Sequence, residues 1–270
     1  MPRVGKGNLA RDRRLGPAVQ RTLGWMSAPV WLPATVAVMR FGFGWRIERE
    51  GMVEARRTYR ALRRTGGPLL VCANHLTLVD SALVAWALGS PAWFLAHYAA
   101  LPWNVPERRN FASSLVSRLL VYLMKCVPIT RGGDRTEVGR VLVRLQRLLE
   151  RGEVVLVFPE GGRSRSGVVE AEQAAYGVGR LIAALPACRV LCVYLRGERQ
   201  DGCGDLPARG ERFHVRVEDF RPISALHGMR RARDLAQQVT QRLAVLEQEH
   251  FESRRLTSSD ADRLRREAAR

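Results

Sequence analysis

Two short and wholly apolar runs, LLVCA at residues 69–73 and VVLVF at 154–158, constrain the fold of this chain more than any other feature. Such runs, without polar alternation, are typical of strands that are buried on both faces of a sheet. Amphipathic helical patterns lie between and after them, for example TEVGRVLVRLQRLLE at 136–150. This alternation predicts an α/β fold with a mixed, mostly parallel sheet flanked by helices.

The rest of the chain predicts further elements of both kinds. Short apolar or alternating runs predict strands over residues 92–96, 126–129, 189–195 and 211–217. Helical spacing of apolar residues predicts helices over 54–64, 80–88, 112–124, 168–185 and 229–249. We expect the polar residues from 252 onward to be frayed.

An uncharged stretch of 17 residues, from Leu23 to Met39, lies near the N-terminus between basic flanks. It contains Pro29 and Pro33 and carries several tryptophans, which favours a monotopic or re-entrant membrane anchor over a straight span. An ordinary buried helix is the alternative. We therefore expect a basic N-terminus with an apolar, membrane-associating helical segment (1–45), an α/β domain (46–250) and a polar tail (251–270).

The chain of 270 residues has a net charge of +18, from 44 Lys and Arg against 26 Asp and Glu. This excess predicts an anionic partner, either a membrane surface or nucleic acid. No nucleic acid is expected, because the aromatic residues gather in the N-terminal segment and no recognition-helix or zinc pattern is visible. The five cysteines are too scattered for a disulfide framework, so we expect buried thiols at Cys72, Cys126 and Cys192 and a reducing compartment.

The loop after the first apolar run reads NHLTLVD over residues 74–80. Ligand sites of α/β sheets lie beyond the carboxyl ends of strands, so this loop is a candidate site. If the turn brings Asp80 to one nitrogen of His75, the other nitrogen is left to take a proton from a substrate hydroxyl. The alternative is structural, with Asp80 as a helix N-cap and His75 as a loop residue that makes its hydrogen bonds within the protein.

The loop after the second run reads FPEGGRSRSG over residues 158–167 and combines glycines, arginines and hydroxyl groups. Exposed backbone amides and guanidinium groups bind phosphate or carboxylate, so the loop is a candidate anion site. A solvated basic turn is the alternative. The residues that would form the site are Glu160, Gly161, Gly162, Arg163 and Ser164.

These blocks resemble those of the glycerophospholipid and lysophosphatidic acid O-acyltransferases, a family with an H-x4-D motif. NHLTLVD is similar to the family's first block and FPEGGRS to its FPEGTRS block. VPITR at 127–131 resembles the intermediate block, which ends in a substrate-binding arginine. The sequence departs from the family at Gly162, where threonine is usual, and near Val193, where the proline of the fourth block is missing.

The resemblance implies that His75 and Asp80 are catalytic and that Arg131 and residues 160–164 bind the acyl acceptor. It implies acyl-CoA or acyl carrier protein as donor, and no metal or other cofactor. The commonest acceptor of the family is 1-acylglycerol-3-phosphate, which gives phosphatidic acid, and another lyso-lipid or a specialised hydroxylated acceptor is the alternative. Membrane lipid would be a partner, with the active site on the cytoplasmic face.

A hypothesis from another class is a basic, non-catalytic protein that binds membrane lipid or nucleic acid. Both loops would then be structural. The two hypotheses differ in whether the protein transfers acyl groups and whether His75→Ala abolishes that transfer.

Overall fold

A computed structural model describes the backbone of residues 6–111, 114–130 and 132–268, and the side chains of 16–108, 111, 114–130 and 132–256. The strands in these ranges are β1 (Arg46–Ile47), β2 (Leu69–Ala73), β3 (Trp103–Asn104), β4 (Val154–Val157), β5 (Arg189–Gly197) and β6 (Arg212–Phe220). The helices are α1 (Lys6–Ala37), α2 (Arg49–Thr65), α3 (Asp80–Leu88), α4 (Pro91–Ala96), α5 (Arg108–Phe111), α6 (Leu115–Leu123), α7 (Arg135–Glu150), α8 (Tyr176–Ala184) and α9 (Gly228–Ala268). A π-helical turn, Val38–Gly42, follows α1, and a 3-10 turn spans Tyr98–Ala100.

The strands form one mixed sheet in the order β1-β6-β5-β2-β4-β3. Strand β2 lies at its centre and pairs in parallel with both β4 and β5. The pairing of β5 with β6 is antiparallel, and the other pairings are parallel. The predicted mixed, mostly parallel sheet is therefore confirmed.

Helices cover both faces of the sheet and create two apolar cores. Side chains of successive strand residues point to opposite faces. Leu69, Val71 and Ala73 of β2 accordingly belong to the core beneath α1–α4, whereas Leu70 and Cys72 belong to the core beneath α7–α9. Every residue of β2 and β4 is buried, which explains why both runs are apolar throughout.

The strand predicted over 92–96 is wrong, because this segment lies in α4. The side chain of Ser90 caps the helix by accepting a hydrogen bond from the backbone N–H of Trp93. Pro91 occupies the first turn, where its fixed φ favours a helix. These two residues determine the local structure more strongly than the apolar run that follows.

The strand predicted over 126–129 is reduced to two isolated bridges, Asn104 to Cys126 and Glu107 to Ile129. Its partner β3 is only two residues long, and Pro128 has no N–H to donate. The edge of the sheet is therefore irregular at this point. Cys126 is nonetheless buried, as are Cys72 and Cys192, as expected.

The helix predicted over 168–185 begins only at Tyr176, and residues 168–175 form a loop. Helix α9 supplies hydrogen bonds to the loop backbone. The N–H of Val169 donates to the Glu247 carboxylate at 2.8 Å, and the Thr240 hydroxyl donates to the carbonyl of Ala171 at 2.9 Å. Helix α9 also runs on to Ala268, whereas the expected fraying of the tail from 251 stays a prediction.

The N-terminal apolar segment forms one continuous helix, α1, although it contains Pro17, Pro29 and Pro33. That this segment is a monotopic or a re-entrant membrane anchor stays a prediction. The stretch Gly16–Gly42 is long and apolar enough to cross a bilayer, and an 18-residue window within it has a mean hydropathy of 1.2 and is 22% buried. By length and composition alone, this is a weak indication of membrane association.

The inner face of α1 belongs to the body of the protein. Ala28, Leu32 and Met39 are part of the first apolar core, and α1 packs along α4 and α6. The predicted anchoring segment therefore shares its core with the α/β domain.

Candidate functional site

The loop that leaves β2 is fixed first by Asn74. Its side-chain amide donates to the carbonyl of Leu195 at 3.0 Å, and its side-chain oxygen accepts from the N–H of Leu195 at 2.8 Å. Because Leu195 lies on the neighbouring strand β5, this pair holds the loop at the carboxyl edge of the sheet.

His75 and Asp80 then meet across a tight turn. The Nδ1 atom of His75 lies 3.0 Å from Oδ2 of Asp80, and both side chains are buried. The same carboxylate oxygen accepts the backbone N–H groups of Leu76 at 2.6 Å and Thr77 at 2.7 Å. The hydroxyl of Thr77 donates to the other oxygen, Oδ1. Asp80 is also the first residue of α3, where the helix dipole stabilises a negative charge.

The second loop packs directly against the first. The ring of Phe158 stacks on the imidazole of His75, with centroids 4.0 Å apart and planes 14° from parallel. The backbone N–H of His75 donates to Glu160 at 3.1 Å, and the N–H of Ser164 donates to the carbonyl of His75 at 2.9 Å. The structure thus brings the two loops together at the parallel ends of β2 and β4.

The pKa of the Glu160 carboxyl differs from its ordinary value. Burial raises the pKa of its carboxyl from 4.5 to about 7, although the hydrogen bond from the His75 backbone opposes this effect. Other carboxylates, led by Glu247, add to the increase. Near neutral pH the group therefore exchanges a proton beside the histidine loop.

The remaining residues of the predicted anion site differ in backbone conformation, burial and hydrogen bonding. Gly161 has a φ of 71°, which a side chain would strain, and Gly162 follows it in the same loop. The Nη1 atom of Arg163 donates to the carbonyl of Gly204 at 2.7 Å and to Asp205 at 2.8 Å. Ser164 is buried, and its hydroxyl donates to the carbonyl of Val168. Arg131 lies outside the described residues.

A third loop follows β5 and contacts the loop that carries His75. The sequence pattern alone did not lead us to predict this contact. The N–H of Gly204 donates to the carbonyl of Leu76 at 3.0 Å, and the N–H of Leu78 donates to the carbonyl of Asp205 at 3.1 Å. These bonds flank Thr77 on both sides. The sequence does contain a signal for this loop, because DGCGD at 201–205 follows a strand whose carboxyl end is predicted to lie at the same edge of the sheet as the other two loops.

An apolar cavity of about 430 Å³ lies beside the histidine. His75 and Arg163 line part of it, and the rest of the lining is mostly apolar and comes from α1, α3, α4, α6 and the segments around β3. Sequence reasoning did not predict it, because its walls come from segments far apart in the chain. The side chains that line it include Trp31, Val36, Ala82, Ala85, Phe94, Leu120 and Met124.

A metal centre has no support within the described residues, which contain no group of three or more His, Cys, Asp or Glu side chains placed to hold an ion. What the arrangement offers is an oriented imidazole at the wall of an apolar space. Such an imidazole is suited to general base catalysis.

The family model described as Acyltransferase matches residues 52–196, more than half of the chain. The chain belongs to the acyltransferase family. The match covers both loops and the central strands of this acyltransferase, whereas all of α1 and all of α9 lie outside it. No curated protein has a sequence that is significantly similar to the sequence of this acyltransferase.

Proposed function

We propose that this acyltransferase moves a fatty acyl group from an acyl thioester to a hydroxyl of a lyso-phospholipid. The proposed donor is acyl-CoA or acyl carrier protein, and the proposed acceptor is 1-acylglycerol-3-phosphate, with phosphatidic acid as product. The observation that carries the proposal is the 3.0 Å contact between His75 Nδ1 and Asp80 beside an apolar cavity. Membership of the acyltransferase family supports the reaction class.

His75 acts as general base in this proposal. Asp80 accepts a hydrogen bond from Nδ1–H of His75, which fixes the tautomer that presents an unprotonated Nε2 to the substrate. The carboxylate stabilises the imidazolium formed when Nε2 takes the proton of the acceptor hydroxyl. The stack with Phe158 keeps the ring in one orientation while this happens.

The reaction then proceeds by direct transfer. The acceptor oxygen bonds to the thioester carbonyl carbon as its proton passes to Nε2 of His75, and a tetrahedral intermediate forms. The carbon–sulfur bond breaks, and the thiol leaves with the proton returned by the imidazolium. Ester and thiol are the products, and no covalent acyl-enzyme is required.

The apolar cavity accommodates the acyl chain of the donor. Its lining is mostly hydrophobic with few polar groups, as is typical of sites for long apolar ligands. Arg131 and the segment from Glu160 to Ser164 are proposed to bind the acceptor. Another lyso-lipid acceptor remains the alternative, since Arg163 is already held by Gly204 and Asp205.

The exposed outer face of α1 supports work at a bilayer, with the active site on the cytoplasmic face. Trp25, Met26 and Val30 are more than half exposed on this helix. A membrane position brings the enzyme to its acceptor and receives its product. The basic surface also suits an acidic carrier protein or anionic lipid.

The test is a transfer assay with a labelled acyl thioester, given as CoA or carrier protein, and a panel of lyso-phospholipids. Wild type should label 1-acylglycerol-3-phosphate, and His75→Ala should lose at least about 10²-fold of the rate. His227→Ala is the matched control, since this histidine is exposed on the segment before α9. Full activity of His75→Ala would overturn the general base, and labelling of a different acceptor would correct the substrate.

A further inference from the structure

Helix α9 carries a buried carboxylate, Glu247, that contacts the second loop. This loop and its continuation, residues 158–175, are here called the acceptor loop. The family match ends at residue 196, so Glu247 lies outside the matched domain. Burial of a carboxylate is unfavourable unless hydrogen bonds and an opposite charge compensate for the loss of water. The partners of Glu247 therefore indicate which part of the molecule it stabilises.

Both carboxylate oxygens of Glu247 accept hydrogen bonds from buried groups. Oε2 accepts the backbone N–H of Val169, in the acceptor loop, at 2.8 Å. Oε1 accepts the hydroxyl of Tyr194, in the neighbouring strand β5, at 3.0 Å. The carboxylate thus joins the acceptor loop to the sheet.

Arg196 supplies the opposite charge and a second contact with the same loop. Its Nη1 atom lies 3.6 Å from Oε1 of Glu247 and donates to the carbonyl of Gly167. The guanidinium also lies 5.0 Å from the ring centroid of Phe251, on α9. Arg196 is itself buried, so the pair fixes the loop backbone from the interior of the protein.

A continuous path of bonds leads from Glu247 to the histidine. The residue before Val169 is Val168, whose carbonyl accepts the hydroxyl of Ser164. The backbone N–H of Ser164 in turn donates to the carbonyl of His75 at 2.9 Å. A displacement of Val169 would therefore move both the proposed acceptor site and the loop that carries His75.

Helix α9 holds the acceptor loop at a second point through Thr240. Its hydroxyl donates to the carbonyl of Ala171 at 2.9 Å, and the residue is fully buried. Thr240 and Glu247 are about two helical turns apart, so they lie on the same face of α9. One helix face thus fixes the loop at two successive places.

We propose that Glu247 is a positioning residue for acyl transfer, which holds residues 160–164 in their position relative to His75. The proposal rests on the proposed function in assigning residues 160–164 to the acyl acceptor. The hydrogen bond to Val169 and the pairing with Arg196 favour this role over a purely structural one, because both lead to the backbone of the acceptor loop.

The first experiment measures the loop without relying on activity. Hydrogen exchange of the full-length protein is followed by mass spectrometry in wild type and in Glu247→Gln, which keeps the side-chain shape but loses the charge and one acceptor oxygen. The peptide that contains Val169 should exchange at least about tenfold faster in the variant. Glu218→Gln is the matched control and should leave this peptide unchanged, since it breaks an ion pair with Arg242 that joins α9 to β6.

The second experiment is the transfer assay, with the KM values of acceptor and thioester measured separately. In Glu247→Gln, the KM for 1-acylglycerol-3-phosphate should rise about tenfold, while the KM for the thioester changes less than about twofold. Thr240→Val removes the second attachment and should raise the acceptor KM about threefold. Glu218→Gln should leave both KM values as in wild type, even if it unfolds at a lower temperature.

Unchanged exchange of the Val169 peptide in Glu247→Gln would overturn the attachment of the loop. Faster exchange with an unchanged acceptor KM would overturn the positioning role and leave Glu247 with a structural one. Equal increases of both KM values would do the same. If wild type itself transfers no acyl group, the proposed function fails, whereas failure of the positioning role alone requires a wild type that is active.

Discussion

Thr77 shows at the scale of one residue how the turn between His75 and Asp80 is stabilised. Its backbone N–H and its hydroxyl both donate to the Asp80 carboxylate, and its side chain is only 1% exposed. The carboxylate therefore has a fixed direction before any substrate binds. This arrangement makes Thr77 a positioning residue for the imidazole in the proposed mechanism.

Replacement of Thr77 by Val keeps the shape but removes the hydroxyl. The buried Asp80 oxygen would lose a partner, which should cost about 1–3 kcal/mol of unfolding free energy. In the transfer assay, kcat should fall while KM for the thioester changes little. Thr77→Ser retains the hydroxyl and should restore most of both properties. Chemical denaturation and steady-state kinetics measure the effects, and a Val variant with wild-type kcat would contradict the positioning role.

Glu160 makes stability depend on pH. Its pKa is about 7 in the folded protein against an ordinary value of 4.5, so between these values the folded state holds a proton that the unfolded chain has lost. The free energy of unfolding should therefore fall as the pH rises from about 4.5 to about 7, by up to about 1.4 kcal/mol per pH unit.

Glu160→Gln should flatten this part of the stability curve, because the substituted side chain does not titrate. Urea denaturation across the same pH range measures the slope. Glu172→Gln, at an exposed glutamate of the neighbouring loop, is the control and should retain the wild-type slope. An unchanged slope in Glu160→Gln would contradict the assignment.

Several residues of the candidate site could be predicted from sequence because their roles are local. The contact of His75 with Asp80 spans five positions, and Glu160 follows an apolar strand that ends at the same edge of the sheet. The stack of Phe158 on His75 and the loop at Gly204 depend on the order of strands in the sheet. That order is a tertiary property, so periodicity in one segment does not indicate it.

At the scale of one element, helix α3 carries both the proposed catalytic carboxylate and part of the cavity wall. Its first residue is Asp80, and Ala82 and Ala85 line the apolar cavity. Small side chains at these two positions leave room between the helix and the opposite wall. The element therefore fixes both the position of the carboxylate and the dimensions of the cavity.

Ala85→Leu should restrict the acyl chains that the enzyme accepts. The added carbons extend into the cavity, so kcat/KM should fall for long-chain thioesters by about 10–200-fold relative to short-chain ones. Ala92→Leu, at an exposed position of α4, should leave the chain-length profile unchanged. Equal losses for all chain lengths in Ala85→Leu would contradict the role of the cavity in binding the acyl chain.

Helices and strands could be predicted from sequence where the apolar pattern alone determines the local structure. Strands β2 and β4 and helices α3 and α7 are bounded by glycine or a polar loop and follow their apolar pattern. The predictions of secondary structure fail where a further interaction determines the local conformation. Examples are the Ser90 cap at α4, the short edge strand β3, and the hydrogen bonds between α9 and the loop before α8. Such influences come from capping geometry or from distant parts of the chain.

A buried ion pair joins separate parts of the whole molecule. Lys125 has 0% exposure, and its Nζ donates to Glu153 at 2.7 Å and to the carbonyls of Tyr98 and Leu101. Glu153 also accepts hydrogen bonds from Trp103 and from Arg21 of α1. Burial lowers the pKa of Lys125 to about 8, although Glu153 opposes this effect. The pair connects α1, the segment before β3 and the start of β4.

Lys125→Met should destabilise the protein by about 3–5 kcal/mol, because the buried Glu153 carboxylate loses its fully buried cation and keeps the partly exposed Arg21. The double variant Lys125→Met/Glu153→Gln removes that charge as well and should be more stable than the single variant. Thermal and urea unfolding of the three proteins measure the difference. A double variant no more stable than the single one would show that packing, rather than charge, accounts for the loss.

Helix α1 forms a wall of the cavity through Trp31, Leu32 and Val36, while its outer face is exposed. Under the proposed function, loss of the N-terminal helix during evolution would therefore open the proposed acyl-chain cavity to water as well as release the protein from the bilayer. A soluble descendant would need a replacement wall in the same step. The proposed anchorage and the proposed substrate binding would thus be inherited together, because one helix serves both.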